Sequence, residues 1–296
     1  MNIPYWGEIL ALITAVIWAS AVILFKKSGE TVHPIALNLF KNSLAAVLFV
    51  PTLCIAGQTL FYDAPANDYW LLLLSGALGI GISDTFFFIS LNKIGAGLSA
   101  VVDCLYSTFI IALSFIFIGE SMSFWQIFGA MLIISAVLTA ASRKGSEHLS
   151  RSDLIWGIIW GALAMLVTAI GLVMIKPLLD RSPLLWVVEI RLIGGILILL
   201  LFLAFYRKRK MVIKSLTTAG GWKFTISSSI VGAYLAMMFW LGGMKYTQAS
   251  TAAALNQTTT IFIFVFAWWF LKEPVNKIRL IGIGLAVIGS FFVTFG

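Results

Sequence analysis

The stretch that decides the fold covers residues 79–120 and reads GIGISDTFFFISLNKIGAGLSAVVDCLYSTFIIALSFIFIGE. Two apolar runs, each about long enough to cross a bilayer, lie on either side of a short turn at residues 93–95. Each run carries one carboxylate, Asp84 in the first and Asp103 in the second. A carboxylate surrounded by hydrocarbon is costly, so both side chains are expected to face a partner, water or a ligand.

The composition around this stretch is that of a polytopic membrane protein. Of the 296 residues, 60% are hydrophobic and 11% are charged, whereas a soluble domain has about 25% charged residues. The formal net charge of +8 lies in loops, where it indicates topology rather than binding to nucleic acid. Cys54 and Cys104 both fall in apolar runs, which gives no disulfide framework or zinc spacing, and no metal or cofactor is predicted.

Ten hydrophobic segments of about 18–24 residues follow one another along the chain, and each is consistent with a helix that crosses the membrane. They cover residues 8–25, 34–57, 69–92, 98–118, 124–141, 154–175, 184–206, 222–243, 251–271 and 278–295. The predicted fold class is therefore an all-α integral membrane protein with ten transmembrane helices.

The sequence also repeats. Lys26 matches Lys176 and Lys41 matches Arg191 at an offset of 150 (191 − 41), and Glu120 matches Glu273 at an offset of 153 (273 − 120). We therefore predict two five-helix repeats, residues 1–145 and residues 152–296. Five is an odd number, so the second repeat must cross the membrane in the opposite direction. Inverted repeats with polar groups at mid-depth are typical of transporters.

The distribution of basic residues predicts an orientation. The loops after segments two and four hold no Lys or Arg, whereas those after segments five, seven and nine are rich in both. These basic residues are Arg143, Lys144, Arg151, Arg207, Lys208, Arg209, Lys210, Lys214, Lys272, Lys277 and Arg279. Basic loops tend to lie in the cytoplasm, which predicts that both chain termini face outward.

These features resemble the drug/metabolite transporter superfamily, in particular the ten-helix EamA-type permeases, over essentially the whole chain. The resemblance rests on an aromatic first helix, a basic residue early in the second, small residues leading into the fourth, a Glu that closes the fourth and a Gly about nine residues later. The matching positions are Trp18, Lys41, Arg191, Ala96, Ala100, Ala249, Ala253, Glu120, Glu273, Gly129 and Gly282.

The chain departs from this pattern in two respects. Many relatives carry proline midway along the fourth and ninth helices, where this chain has Tyr106-Ser107-Thr108 and Thr258-Thr259-Thr260. Family members also commonly place both termini in the cytoplasm, whereas the charge distribution of this chain favours the reverse.

The candidate substrate site lies where polar and aromatic residues gather in the repeat. Ser99, Asp103 and Ser107 share one helical stripe, and the repeat sets Asn256 opposite Asp103. The family resemblance implies a central cavity lined by helices one, three, four, six, eight and nine. The predicted substrate-binding residues are Asp84, Asp103, Trp18, Tyr106, Ser107, Tyr234, Trp240, Asn256 and Gln257.

Structural roles for the same charges remain open at this point. Asp103 is alternatively a counter-ion to Lys41 or Arg191, and Glu189 is a candidate partner of Lys41 across the repeats. Glu120 and Glu273 sit at helix ends. We interpret Lys41, Arg191, Glu189, Glu120 and Glu273 as structural or gating charges rather than substrate ligands.

The predicted function is secondary transport of a small amphipathic or cationic metabolite, amino-acid-like or drug-like, by alternating access, with proton coupling through Asp84 or Asp103 left open. The alternatives are an uncoupled facilitator or channel and a lipid-interacting membrane protein. The sequence offers no catalytic constellation, so an enzyme is not predicted. The expected partners are a small-molecule substrate and the lipid bilayer, without nucleic acid, and a homodimer is left open. The family resemblance implies the bacterial inner membrane.

Overall fold

A computed structural model describes residues 5–118, 123–140, 149–218, 220–247, 249–274 and 277–295. Glu120 lies outside these residues. The described part of the chain is all-helical, as the sequence predicted, and 86% of residues lie in helices. The helices are α1 (Trp6–Ser28), α2 (Pro34–Ile55), α3 (Ala66–Gly76), π1 (Ala77–Ile82), α4 (Ser83–Asp103), α5 (Leu105–Ile118), α6 (Phe124–Ala140), α7 (Arg151–Val173), α8 (Lys176–Arg181), α9 (Leu184–Phe205), α10 (Arg209–Thr217), α11 (Trp222–Ser228), π2 (Ser229–Ala236), α12 (Met237–Tyr246), α13 (Ala249–Asn256), α14 (Thr259–Leu271) and α15 (Lys277–Phe295).

Within the described residues, six helical stretches are long and apolar enough to cross a membrane. They are Trp6–Ser28, Pro34–Ile55, Ala66–Asp103, Arg151–Val173, Leu184–Phe205 and Trp222–Tyr246. Four shorter apolar helices, of 10–17 residues, cover Leu105–Phe117, Phe124–Thr139, Thr259–Leu271 and Leu280–Val293. The helical architecture is thus confirmed, while the number of ten crossings stays a prediction.

The turn predicted at residues 93–95 is a sharp break in α4. Gly95 has φ 79° and ψ 175°, a conformation outside the helical region, although its neighbours on both sides are helical. Positive φ is readily reached only by glycine, because a side chain would collide with the backbone. The residue at this position therefore allows the chain to end one long helix and begin the next without a loop.

Two further breaks interrupt segments that we expected to be continuous helices. α4 ends at Asp103 and α5 begins at Leu105, while α13 ends at Asn256 and α14 begins at Thr259. The breaks lie at the repeat offset of 153 (256 − 103). Neither contains proline. A side-chain hydroxyl bonds to a backbone carbonyl at each break: Ser107 donates to Cys104 at 2.9 Å, and Thr258 donates to Leu255 at 2.6 Å. Such bonds compete with the backbone hydrogen bonds of a helix.

The two π-helical turns, which the sequence did not predict, also fall at the repeat offset, since Ala77 plus 153 gives Ile230 within π2. A π turn displaces backbone carbonyls from their usual helical partners. In π1 the Asn38 side-chain amide compensates, because it donates to the carbonyls of Ile80 at 3.1 Å and Gly81 at 2.8 Å. Asn38 is fully buried and so fastens α2 to π1.

Equivalent contacts recur in the two parts of the chain. Lys26 donates to the Leu91 carbonyl at 3.1 Å, and Lys176 donates to the Met244 carbonyl at 2.9 Å. These donors are 150 residues apart (176 − 26) and the acceptors 153 (244 − 91). Helix packing shows the same pattern, since α1 packs on α12 and its counterpart α7 packs on α4, while α6 packs on α15. The repeat read from the sequence is therefore accompanied by repeated contacts.

Candidate functional site

A cavity of about 150 Å³ lies where α1, α2, π1, α4, α7, π2 and the helix breaks meet. Of the nine predicted substrate-binding residues, the cavity wall includes Trp18, Asp84, Asp103, Tyr106, Trp240, Asn256 and Gln257. Four of these seven, Trp18, Asp84, Asp103 and Tyr106, come from the first part of the chain. The other three, Trp240, Asn256 and Gln257, come from the second part and line the same space. The site is therefore built jointly by the two repeats.

Ser107 and Tyr234 lie outside this wall. Ser107 donates its hydroxyl hydrogen to the Cys104 carbonyl at the break between α4 and α5, which turns it away from the stripe shared with Asp103. The Tyr234 hydroxyl lies 2.6 Å from the Thr52 hydroxyl, which itself donates to the Leu48 carbonyl. Both hydroxyl groups thus bond to other groups of the protein, and neither residue is part of the cavity wall.

The Lys41 ammonium is paired with Asp84. Its Nζ lies 2.6 Å from Asp84 Oδ2 and 2.9 Å from Asn42 Oδ1, and the Lys41 side chain is only 2% exposed. Asn42 in turn donates to Asn38 at 2.8 Å, which joins the ion pair to the amide that fastens π1. Among the described residues, Lys41 forms no salt bridge with Asp103 or Glu189, the two partners that we considered from the sequence. Asp84 is neutralised by a neighbour within its own repeat.

Asp103 presents a different environment. Its Oδ1 atom is buried and has no hydrogen-bond partner among the described residues. The same holds for the Tyr106 hydroxyl and for both polar atoms of the Asn256 side-chain amide. Buried polar groups are nearly always hydrogen-bonded, so several unpaired ones on one cavity wall indicate a place for a polar ligand or water. The four atoms supply acceptors as well as donors.

Arg191 is not among the residues that line the cavity. Its side chain is fully buried, and its Nε and Nη1 atoms have no hydrogen-bond partner among the described residues. The guanidinium carbon sits 5.7 Å from the centre of the Trp240 ring, within cation–π range. The Arg191 guanidinium thus contacts the Trp240 ring, whereas Lys41, its counterpart in the repeat, is part of the cavity lining.

The remaining wall is largely aromatic and apolar. Trp18 and Phe87 have ring centroids 6.0 Å apart, and Tyr106 and Trp240 are 6.5 Å apart. Met165 and Met237 lie on the same wall, and thioethers adapt readily to ligands of different shape. The cavity thus combines ring faces and flexible apolar groups with a small number of polar atoms, which is the usual make-up of a small-molecule site.

Several cavity residues were missed by sequence reasoning, notably Ser83 and Thr168. Their hydroxyl oxygens lie 2.5 Å apart, and Ser83 also donates to the Ala164 carbonyl at 2.8 Å. Thr168 was predictable from the sequence, because it stands 150 residues after Trp18 (168 − 18), which was a predicted site residue. Applying the repeat to every predicted residue would have found it.

Glu189 does not line the cavity. The residue is 3% exposed, and its Oε2 atom has no hydrogen-bond partner among the described residues. It lies two positions from Arg191 on α9, and residues so spaced on a helix point in different directions. Glu189 is therefore separate from the candidate site.

Glu273 connects the two repeats at the end of α14. Its carboxylate accepts hydrogen bonds from the backbone N–H groups of Ala96, at 2.7 Å, and Gly97, at 3.0 Å. These N–H groups follow the break at Gly95 and begin the next helical stretch, where backbone donors are otherwise unpaired and a negative charge is favourable. The structural or gating role of Glu273 stays a prediction, which a substitution can test.

Replacing Glu273 with Ala is expected to lower the stability of the purified protein by about 1.5–3 kcal/mol, because charge-assisted hydrogen bonds to a helix start are lost. The melting temperature in detergent measures this change. Glu30→Ala is the matched control, since the Glu30 side chain is exposed and its salt bridge is to Lys27, three residues away in sequence. Equal melting temperatures for the two variants would contradict the role assigned to Glu273.

The sequence pattern of the EamA-like transporter family matches residues 5–142 and, a second time, residues 155–295. The chain belongs to the EamA-like transporter family. The family match thus occurs twice, once in each part of the chain. The wider resemblance to the drug/metabolite transporters is confirmed with it.

Relatives within this group are also named as transporters. A protein of Archaeoglobus fulgidus named "Uncharacterized transporter" is 23% identical over 284 residues, which cover 95% of each chain. The "Uncharacterized inner membrane transporter YhbE" of Escherichia coli K12 is 24% identical over 305 residues, covering 98% of this chain and 91% of that protein. A solved crystal structure superposes with a TM-score of 0.73 at 17% identity and covers 98% of this chain and 96% of the other. At that identity the superposition shows a shared fold. As a member of the EamA-like family, the chain is a multi-pass membrane protein of a transporter family.

Proposed function

We propose that this protein is a secondary transporter that moves a small amphipathic organic cation through the central cavity by alternating access. In this proposal the chain crosses the bacterial inner membrane ten times, as two inverted five-helix repeats. Support comes from the family match, which occurs twice, and from a cavity to which both repeats contribute residues. Substrate sites between inverted repeats are a general feature of such transporters.

The observation that carries the proposal is the contrast between the two cavity carboxylates. Asp84 already has the Lys41 ammonium at 2.6 Å, so a cationic substrate would have to displace a buried ammonium to reach it. Asp103 has a buried oxygen without a partner. A carboxylate in such a place is satisfied by an ammonium group that donates a hydrogen bond or lies in close contact. We therefore assign the cation to Asp103 and an architectural role to Asp84.

The rest of the lining suits the body of such a substrate. Trp18 and Trp240 offer ring faces to a cation or an aromatic ring, and Met165 and Met237 accommodate an apolar chain. The Tyr106 hydroxyl and the Asn256 amide are available to one further polar group. Arg191 is a second buried positive charge, with its guanidinium carbon 5.7 Å from the centre of the Trp240 ring, but no ion pair joins it to Asp103 among the described residues.

Uptake into proteoliposomes tests the proposal. The probe is labelled N,N,N-trimethylphenethylammonium, which is permanently charged and crosses lipid poorly without a carrier. We expect uptake above that of empty liposomes, competition by phenethylamine and no competition by the anion 3-phenylpropionate. A pH gradient distinguishes coupled transport from an uncoupled facilitator. Equal competition by the amine and the carboxylate would overturn the assignment of a cationic substrate.

A further inference from the structure

The link between α9 and α11 carries a concentrated positive charge. We define the basic surface as Arg207, Lys208, Lys210 and Lys214, all of which are exposed. No acidic residue occurs between positions 205 and 222. The charge is therefore not neutralised by neighbours along the chain, and among the described residues none of the four takes part in a recorded salt bridge.

Two of these basic residues, Lys210 and Lys214, lie on one face of α10. Val212 is 1% exposed and packs into a core cluster, with Leu216 one turn later packed against the same cluster. Lys210 and Lys214 are also one turn apart, and at about 100° per residue they lie on the opposite side of the helix from Val212. The helix is thus fixed by an apolar side and presents two lysines outward.

Apolar side chains flank the two lysines. Met211 and Ile213 are each 51% exposed. A helix with exposed apolar groups beside lysines has the properties of one that lies in a membrane interface, where the apolar groups enter the lipid and the ammonium groups reach the headgroups.

The position of α10 agrees with such a location. It follows directly on α9, a helix long and apolar enough to cross a membrane, with a link of only three residues between Phe205 and Arg209. It also packs on α2, and the His33 backbone N–H donates to the Ser215 hydroxyl at 3.0 Å at the start of that helix. Since α2 and α9 are both candidate spans, α10 is held where two spans end, at the level of the headgroups.

We propose that α10 is an interfacial helix whose basic surface binds the headgroups of anionic phospholipids in the adjacent leaflet. The complementary charge selects anionic over zwitterionic lipid, and Met211 and Ile213 hold the helix against the bilayer. Basic residues also direct membrane insertion, but that role ends once the protein is inserted. Lipid binding, in contrast, predicts a preference that persists in the mature protein.

The experiment uses the full-length protein in vesicles of phosphatidylcholine and phosphatidylglycerol, with one of the two lipids brominated. Thr217→Cys, at the end of α10, carries a bimane label in a Cys54→Ser background, because Cys54 is exposed and Cys104 is buried. We expect brominated phosphatidylglycerol to quench the label more strongly than brominated phosphatidylcholine. This preference should weaken at high salt, which screens exposed charges.

The variant Lys210→Gln/Lys214→Gln removes the outward charge and keeps the helix. We expect its relative affinity for phosphatidylglycerol to fall by about tenfold or more, since each basic residue near an anionic surface changes partitioning by roughly fivefold. The matched control Lys27→Gln/Lys223→Gln removes two basic residues outside α10 and should keep the preference. Equal quenching by the two lipids in the unsubstituted protein, absence of quenching by either, or an equal loss in the control variant would each overturn the proposal.

Discussion

Asp103→Asn is expected to weaken binding of an organic cation by about ten- to a hundredfold, because the loss of one charge-assisted contact is worth roughly 1.5–3 kcal/mol. The amide keeps the shape of the side chain and removes its charge. The fold should tolerate the change, since Asn256 occupies the equivalent place in the second repeat and also faces the cavity. Binding of the labelled cation to purified protein, and its uptake into proteoliposomes, measure the effect.

The matched control for this experiment is Ser107→Ala. Ser107 is one turn from Asp103 in sequence but donates its hydroxyl to the Cys104 carbonyl and lies outside the cavity wall. Its removal should leave the affinity unchanged. If Asp103 also carries a proton, Asp103→Asn will additionally abolish uptake driven by a pH gradient. Affinity and transport rates like those of the unsubstituted protein would refute a substrate role for Asp103.

Breaking the ion pair between Lys41 and Asp84 is expected to destabilise the protein strongly. In Asp84→Leu the buried Lys41 ammonium keeps Asn42 Oδ1 as its recorded acceptor and loses the carboxylate at 2.6 Å. An uncompensated buried charge costs about 3–5 kcal/mol. For a chain of this size the melting temperature should fall by roughly 10 °C. Lys41→Met should have a smaller effect, because Asp84 is 17% exposed and faces the cavity.

The double variant Lys41→Met/Asp84→Leu distinguishes an architectural pair from a substrate site. Replacing both partners of a buried pair by apolar groups removes the desolvation cost together with the attraction, and is often nearly neutral. We therefore expect the double variant to recover most of the melting temperature lost in Asp84→Leu. A double variant as unstable as the sum of the two single variants would show that the carboxylate and the ammonium act independently.

The repeat is the reason why much of the site was predictable. Polar residues at matched positions in apolar segments are rare, so Asp103 and Asn256 stood out together, and both line the cavity. The turn at Gly95 was equally visible, because glycine is the residue that permits its backbone conformation. Trp18 was predicted from the aromatic first helix of the family pattern, and Trp240 from its place near Met237, the residue that the repeat matches to Asp84.

The features that sequence reasoning missed have weaker local signals. The sequence suggested Asp103 or Glu189 as the partner of Lys41 and missed Asp84. All three carboxylates lie within apolar segments, and a linear sequence does not say which is nearest. The helix breaks at Cys104 and Thr258 lack proline and depend on hydroxyl groups, which are common in unbroken helices as well. The π turns have no residue type of their own, so only the three-dimensional contacts of Asn38 reveal how π1 is stabilised.

The amide that fastens π1 has no counterpart at the matching position of the second repeat. Asn38 bonds the displaced carbonyls of π1, whereas the residue 150 positions later (188 − 38) is Val188, which has no amide to offer π2. A π turn that returns to α-helical pairing shifts by one residue and rotates the helix beyond it by about 100°. Such a change of register would break the Asn38 hydrogen bonds in the first repeat. In the second repeat, Val188 of α9 makes no corresponding side-chain hydrogen bond to π2. The two halves thus share the π turn but fasten it through different groups, since π2 is joined to α2 by the hydroxyl groups of Tyr234 and Thr52, 2.6 Å apart.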